Sequence, residues 1–332
     1  MRFGRRLRGL RRTLLLVALG ALLFRAGACS RPAKGPPAKP AASTVPRAPA
    51  TAPHPPEAAQ GPRGELRLCS WNVRKLGHGK DKNYPRIARI IEQSCDLVAL
   101  QEVMEKKGEA LGYDALAEAL GPAWSGLRTD SPRPHTGDSQ AEHYAVVMRT
   151  ARVKPCAGWG ALRYVPDDDG RGVSGQPDRF LREPAYGCFV AGAADFVLGT
   201  YHARWNKGNR DLIAAEVAGV EGAMAAMAQA SPGEGDVWLV GDLNLVPKDL
   251  AKVVTRERRA RGKGSTLDEN ARITDHLYDQ LVVWDGRASG ELGASAEVLD
   301  VRALGGDVES FVREVSDHLP IRVRVATERD DD

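Results

Sequence analysis

The sequence predicts a layered α/β domain with mixed sheets. Three observations lead there. Eight short apolar runs have strand character, only two clear helical stripes interrupt them, and the chain has neither the glycine fingerprint of a dinucleotide fold nor a P-loop.

The chain has 332 residues and a formal charge of +4, unevenly spread. Residues 1–63 carry 12 Lys/Arg and one acid, Glu57, whereas the remainder carries 35 basic and 42 acidic residues. The folded part is therefore acidic. Bulk charge gives no argument for nucleic-acid binding, so any grip on phosphate must come from local arginines or bound cations.

The first element is a leader, residues 1–29. MRFGRRLRGLRR is a positive start, and Leu14 to Phe24 is an apolar run of 11 residues, short for a membrane span and suited to an export signal. Cys29 follows Ala-Gly-Ala, as in a lipoprotein signal, although Ala26 stands where Leu is usual. Tethering through Cys29 and cleavage with release both stand open. Residues 30–63 form a linker. Within it, 31–63 hold 10 Pro and 9 Ala, a composition that cannot bury a core. Residues 64–327 are read as one domain and 328–332 as an acidic tail. The location expected is therefore outside the cytoplasm: secreted, periplasmic or held at the envelope.

The strand runs are 66–73, 96–103, 144–149, 185–190, 195–203, 236–244, 278–284 and 320–325. Helical spacing appears over 85–94, where Ile87, Ile90 and Ile91 share a face, and over 211–229, where Ile213, Val217, Val220, Met224 and Met227 form a stripe. The run RERRAR, 256–261, reads as a solvated helix face. Four cysteines lie in the domain. Cys156 and Cys188 are placed to pair, and Cys69, inside an apolar strand, reads as a small core residue.

Several strands end in polar groups: Asn72, Glu102, His202, then Asp242 and Asn244. A strand that turns from apolar to carboxylate or amide presents ligands at a sheet edge. Oxygen donors without cysteine favour a hard cation such as Mg²⁺ or Mn²⁺.

The ordered series SWNV, LQEV, EHY, REP, YHA, GDLN, YDQ and SDHLP resembles the endonuclease/exonuclease/phosphatase superfamily, and within it the DNase I-like branch. The resemblance spans nearly all of residues 65–326. It implies a four-layer α/β/β/α sandwich with two packed mixed sheets. It also implies two histidine–carboxylate pairs, Glu142 with His202 and Asp279 with His318, and a metal site of Glu102 with Asn72, Asp242, Asn244 or Asp317. Arg182, Arg74 and Tyr144 would bind phosphate or substrate. A structural Ca²⁺ site is implied at Asp169, Asp178, Phe180 and Glu183. The groove-contacting arginine and tyrosine of DNase I correspond to Met104 and Gln140, which weakens the grip on duplex DNA.

Phosphodiester hydrolysis needs these residue types. Water must lose a proton, the leaving alkoxide must be neutralised, and charge growing on phosphate must be stabilised. Histidine carries protons near neutral pH, and a carboxylate on its far nitrogen fixes the tautomer. The expected partner is DNA, with RNA as a second candidate, and no obligate protein partner. A sphingomyelinase-like phospholipid hydrolase, with Trp205 as its membrane-entering aromatic, and a catalytically dead binding module are the alternatives. All nine chemical positions are occupied, which argues against the last.

Overall fold

The computed structural model describes residues 64–105, 109–133, 141–166, 180–284 and 290–330. The leader, the linker, Cys29, Gln140, Asp169 and Asp178 lie outside the described residues. No helix among the described residues is long and apolar enough to cross a membrane.

In chain order the strands are β1 (Glu65–Leu76), β2 (Leu97–Met104), β3 (Trp124–Arg128), β4 (Glu142–Arg149), β5 (Lys154–Pro155), β6 (Arg163–Tyr164) and β7 (Ala185–Ala191). There follow β8 (Ala194–His202), β9 (Val237–Asp242), β10 (Glu257–Arg258), β11 (Ala260–Arg261), β12 (Asp279–Val283), β13 (Ala296–Val298) and β14 (Ile321–Ala326). The helices are α1 (Tyr84–Ser94), α2 (Leu111–Leu120), α3 (Arg210–Val217), α4 (Val220–Ala230), α5 (Pro247–Leu250) and α6 (Phe311–Glu314). One sheet has the order β11-β13-β14-β1-β2-β4-β3; the other runs β10-β12-β9-β8-β7-β5, with β6 also on β7. Both are mixed: β1 pairs parallel with β2 and β8 with β9, while β4 and β12 run antiparallel to their neighbours β2 and β9.

Three apolar clusters define the layers. One lies between the sheets and is built from Leu66, Leu97, Val146, Phe196, Trp238 and Leu281 among others. A second packs α1 and α2 on the outer face of the first sheet through Ile87, Ile91 and Leu116. The third packs α3 and α4 on the second sheet through Ile213, Val217, Met224 and Met227. This is the α/β/β/α sandwich.

Strand periodicity of two explains where polar groups collect. On the face of β1 that meets the other sheet, Leu66 and Leu68 are succeeded by Ser70 and Asn72. On β8, Phe196 and Leu198 give way to Thr200 and His202, and on β9 Trp238 and Val240 give way to Asp242. β4 and β12 run the other way and so begin with their polar residues: Glu142 stands opposite Met104, and Asp279 opposite Asp242. The space between the sheets is thus dry at one end and acidic at the other. Gln101 marks the boundary, its Nε2 donating to Ser70 Oγ of its own sheet at 3.2 Å and to Thr200 Oγ1 of the facing sheet at 2.9 Å.

Three sequence expectations change. The stripe over 211–229 is two helices, broken at Ala218 and Gly219. A side chain at Gly219 would meet the Phe180 ring at 2.7 Å, so the break admits Phe180. RERRAR is not a helix face. It forms β10 in one sheet and β11 in the other, and buried Arg259 between them donates to the carbonyls of Leu292 and Gly293. Cys69 is not a free core thiol; it is disulfide-bonded to Cys95, while Cys156 bonds Cys188. The parallel β1–α1–β2 crossover sets Cys95, which caps α1, beside β1, a through-space fact that spacing alone does not show.

Candidate active site

Two imidazoles face one acidic floor. His202, the last residue of β8, has Nδ1 2.8 Å from Glu142 Oε1, and His318, in the turn before β14, has Nδ1 2.8 Å from Asp279 Oδ2. Their Nε2 atoms lie 3.7 Å and 3.5 Å from the same oxygen, Asp242 Oδ2. Each pair joins the two sheets: Glu142 and His318 belong to the first, His202 and Asp279 to the second. All but Asp279 line a cavity of about 710 Å³ that also meets Glu102, Met104, Arg182, Asn244 and Asp317.

The floor depends on uncommon backbone. Glu102 has φ 57° inside a bulge of β2, and its Oε2 accepts the Lys75 backbone N–H at 2.8 Å. Asn72 Nδ2 donates to Glu102 Oε1 and to Asp242 Oδ2, both at 3.1 Å, which ties the two carboxylates together. Gly241 has φ +147°, and a Cβ there would lie 1.8 Å from Tyr201 O, so only glycine fits. Asn244 adopts φ 52°, tolerable for Asn, while its backbone N–H donates to Asp242 Oδ1 at 2.9 Å and its Nδ2 to Ala203 O at 2.8 Å. That is why GDLN carries those residues.

SDHLP is moored to β1. Ser316 Oγ donates to Asn72 O at 2.6 Å and accepts the His318 N–H at 3.0 Å, and Trp71 Nε1 donates to His318 O at 2.9 Å. Asp317 pairs with Arg74 Nε at 3.3 Å at the cavity rim. Sequence reasoning missed Ser316 and Trp71 as positioning residues, and it missed Lys82. The Lys82 ammonium donates to the carbonyls of Val73 and Val315. Burial pushes it down to about 8, against the pull of Asp317 and Glu102. It lies in the polar stretch between β1 and α1, where no apolar pattern draws attention.

Burial opposes charge on both imidazoles, but their carboxylates win. His202 is raised by Glu142, with Asp242 adding to it, and His318 is raised to about 10 by Asp279 and Asp242. Asp279 Oδ1 is buried with no hydrogen-bond partner among the described residues, so the His318 ring is its main compensation. Burial raises Asp242, against the two histidines. Burial also opposes the charge on Glu102, which His202 and the Lys75 N–H nevertheless hold below its ordinary value.

Arg182 is buried in the cavity wall, its Nε 3.3 Å from Glu142 Oε1. Tyr144 corrects the expectation of a substrate contact. It is wholly buried, and its hydroxyl accepts the His202 backbone N–H at 3.0 Å, so it holds His202 from behind. Of the calcium candidates, Glu183 forms an ion pair with Arg133 at 2.9 Å, and Phe180 is buried against Tyr201.

Comparison with known proteins follows this geometry. No family model matches the chain. A deoxyribonuclease of Thioalkalivibrio sp. (strain K90mix) is 31% identical over 270 residues, covering 78% of this chain and 70% of that protein. The deoxyribonuclease-1-like 1 protein of Sus scrofa is 25% identical over 277 residues, 79% of this chain and 81% of that one. An endonuclease/exonuclease/phosphatase family structure from Bacteroides thetaiotaomicron superposes with a TM-score of 0.55 at 16% identity, covering 79% of this chain and 97% of that one. The chain belongs to the endonuclease/exonuclease/phosphatase superfamily, in its DNase I-like branch.

This DNase I-like chain is a metal-dependent phosphodiester hydrolase, and its floor fits a hard divalent cation. The donors are carboxylate and amide oxygens, with no thiolate among the cavity residues. Among the described residues, no three His, Cys, Asp or Glu side chains of the cavity converge within 4.8 Å of one another. Glu102, with Asn72 or Asp242 beside it, would hold such an ion.

Proposed function

We propose that the protein is an exported, non-specific endonuclease that hydrolyses DNA to 5′-phosphate ends. One observation carries this reading: the two histidine–carboxylate pairs bring their Nε2 atoms to one oxygen of Asp242, at 3.7 Å and 3.5 Å. One ring takes a proton from the attacking water, and the other delivers one to the departing O3′, so a 5′-phosphate and a 3′-hydroxyl result. Glu142 and Asp279 hold each ring by Nδ1 and favour its charged form. Arg182, buried beside Glu142, supplies positive charge toward a non-bridging phosphate oxygen. A divalent cation on Glu102, Asn72 and Asp242 would act as Lewis acid to the same phosphate. Mg²⁺ or Mn²⁺ is proposed there, and structural Ca²⁺ near Phe180 and Glu183. The relatives' names support DNA as substrate.

Export rests on the basic and apolar leader and on two disulfides, bonds that persist in oxidising compartments. Whether Cys29 is lipid-modified decides between tethered and released forms. A plasmid-nicking assay with Mg²⁺ or Mn²⁺ tests the main reading, together with end-labelling of the products. Chelator-sensitive nicks bearing 5′-phosphate are expected; an intact plasmid at high enzyme and metal would overturn it.

A further inference from the structure

Beside the chemistry lies an aromatic group that the reaction does not use. Trp205 is half exposed. Its ring centroid is 6.0 Å from that of Tyr278, tilted by 54°, and Tyr278 stacks on His276 at 5.0 Å with 6° between the planes. A second cavity of about 200 Å³ is lined by all three rings and shares Trp205, Asn244 and Tyr278 with the active-site cavity.

The backbone behind the indole is unusual. Asn206, Lys207 and Gly208 have φ of 48°, 54° and 76°. Successive left-handed residues, two of them not glycine, are costly and persist where the surroundings impose them. Gly208 lies against the indole, where a Cβ would stand 3.3 Å from Trp205 Cζ2. The same short segment exposes Arg204, Lys207 and Arg210. An indole set among cations beside a phosphodiester site has the chemistry of a stacking platform for nucleic-acid bases with a basic track for the backbone.

Resting on the nuclease reading above, we propose that Trp205, Tyr278 and His276 seat one unpaired base next to the scissile phosphate, so that the enzyme favours single-stranded or locally melted DNA. A space of about 200 Å³ has room for a single base. A base entering it must leave its own stack, which costs least where no partner strand holds it.

The test compares kcat/KM for a single-stranded oligonucleotide, the same sequence as a duplex, and a single strand of tetrahydrofuran residues lacking bases, all with Mg²⁺. Trp205→Ala is expected to lower the single-strand to duplex ratio about 10-fold, Trp205→Phe to retain most of it, and the gap between native and Trp205→Ala to close on the baseless strand. An unchanged ratio for Trp205→Ala, an equal loss on duplex, or an undiminished gap on the baseless strand would overturn the base seat while leaving the nuclease standing. If the native enzyme cuts no DNA at all, the nuclease reading itself falls.

Discussion

His202 and His318 are each held by a buried carboxylate on Nδ1 and turned by Nε2 toward Asp242. If both move protons, His202→Ala and His318→Ala each lower DNA-cleaving kcat/KM by ~100-fold or more. Unchanged turnover in either variant would remove that ring from the chemistry. Charge storage gives a second prediction. In the chelated protein His318 keeps its proton to about 10, whereas an unfolded histidine loses it near ~6.5. A raised pKa stabilises fully below the unfolded value and is lost as pH rises through the folded one. The melting temperature of chelated protein should therefore fall between pH ~6.5 and about 10, and His318→Gln should flatten that slope. A slope of opposite sign would show that the ring is neutral in the fold.

At the scale of strands and turns, the candidate catalytic groups stand where apolar alternation ends, and this much was legible in the sequence. Asn72, His202 and Asp242 close runs whose earlier inward residues are Leu, Phe, Trp or Val, so a polar rim is visible in the sequence. What alternation does not encode is a contact made through space. Tyr144 shares a face with Glu142 yet lies one step deeper, behind His202. RERRAR looks like a charged helix face because its one buried arginine is satisfied by carbonyls some 30 residues away, at Leu292 and Gly293. The aromatic seat joins Trp205 to His276 across the fold, and no spacing links them. Gly241 tests the backbone argument at this scale. Gly241→Ala must place a methyl against Tyr201 O and adopt a forbidden φ, so a loss of ~3 kcal/mol or more in denaturant unfolding is expected. A near-neutral result would mean that β8 and β9 can separate there without cost.

For the molecule as a whole, two disulfides staple the outer parts of the sandwich rather than its catalytic end. Cys69–Cys95 ties β1 to the end of α1, and Cys156–Cys188 ties the stretch after β5 to β7, with sequence separations of 26 and 32. Closing loops of that size in the unfolded chain stabilises by ~3 kcal/mol each. Replacing Cys69 and Cys95 together by Ala should lower the melting temperature measurably and leave the pH profile of DNA cleavage unmoved. A shifted profile would show that the bridge reaches the histidines.

Each histidine–carboxylate pair has one member on either layer of the sandwich. Neither layer possesses a complete pair of its own, so both layers must be seated on each other before either pair exists. A chain in which only one layer has formed would be inert toward a phosphodiester.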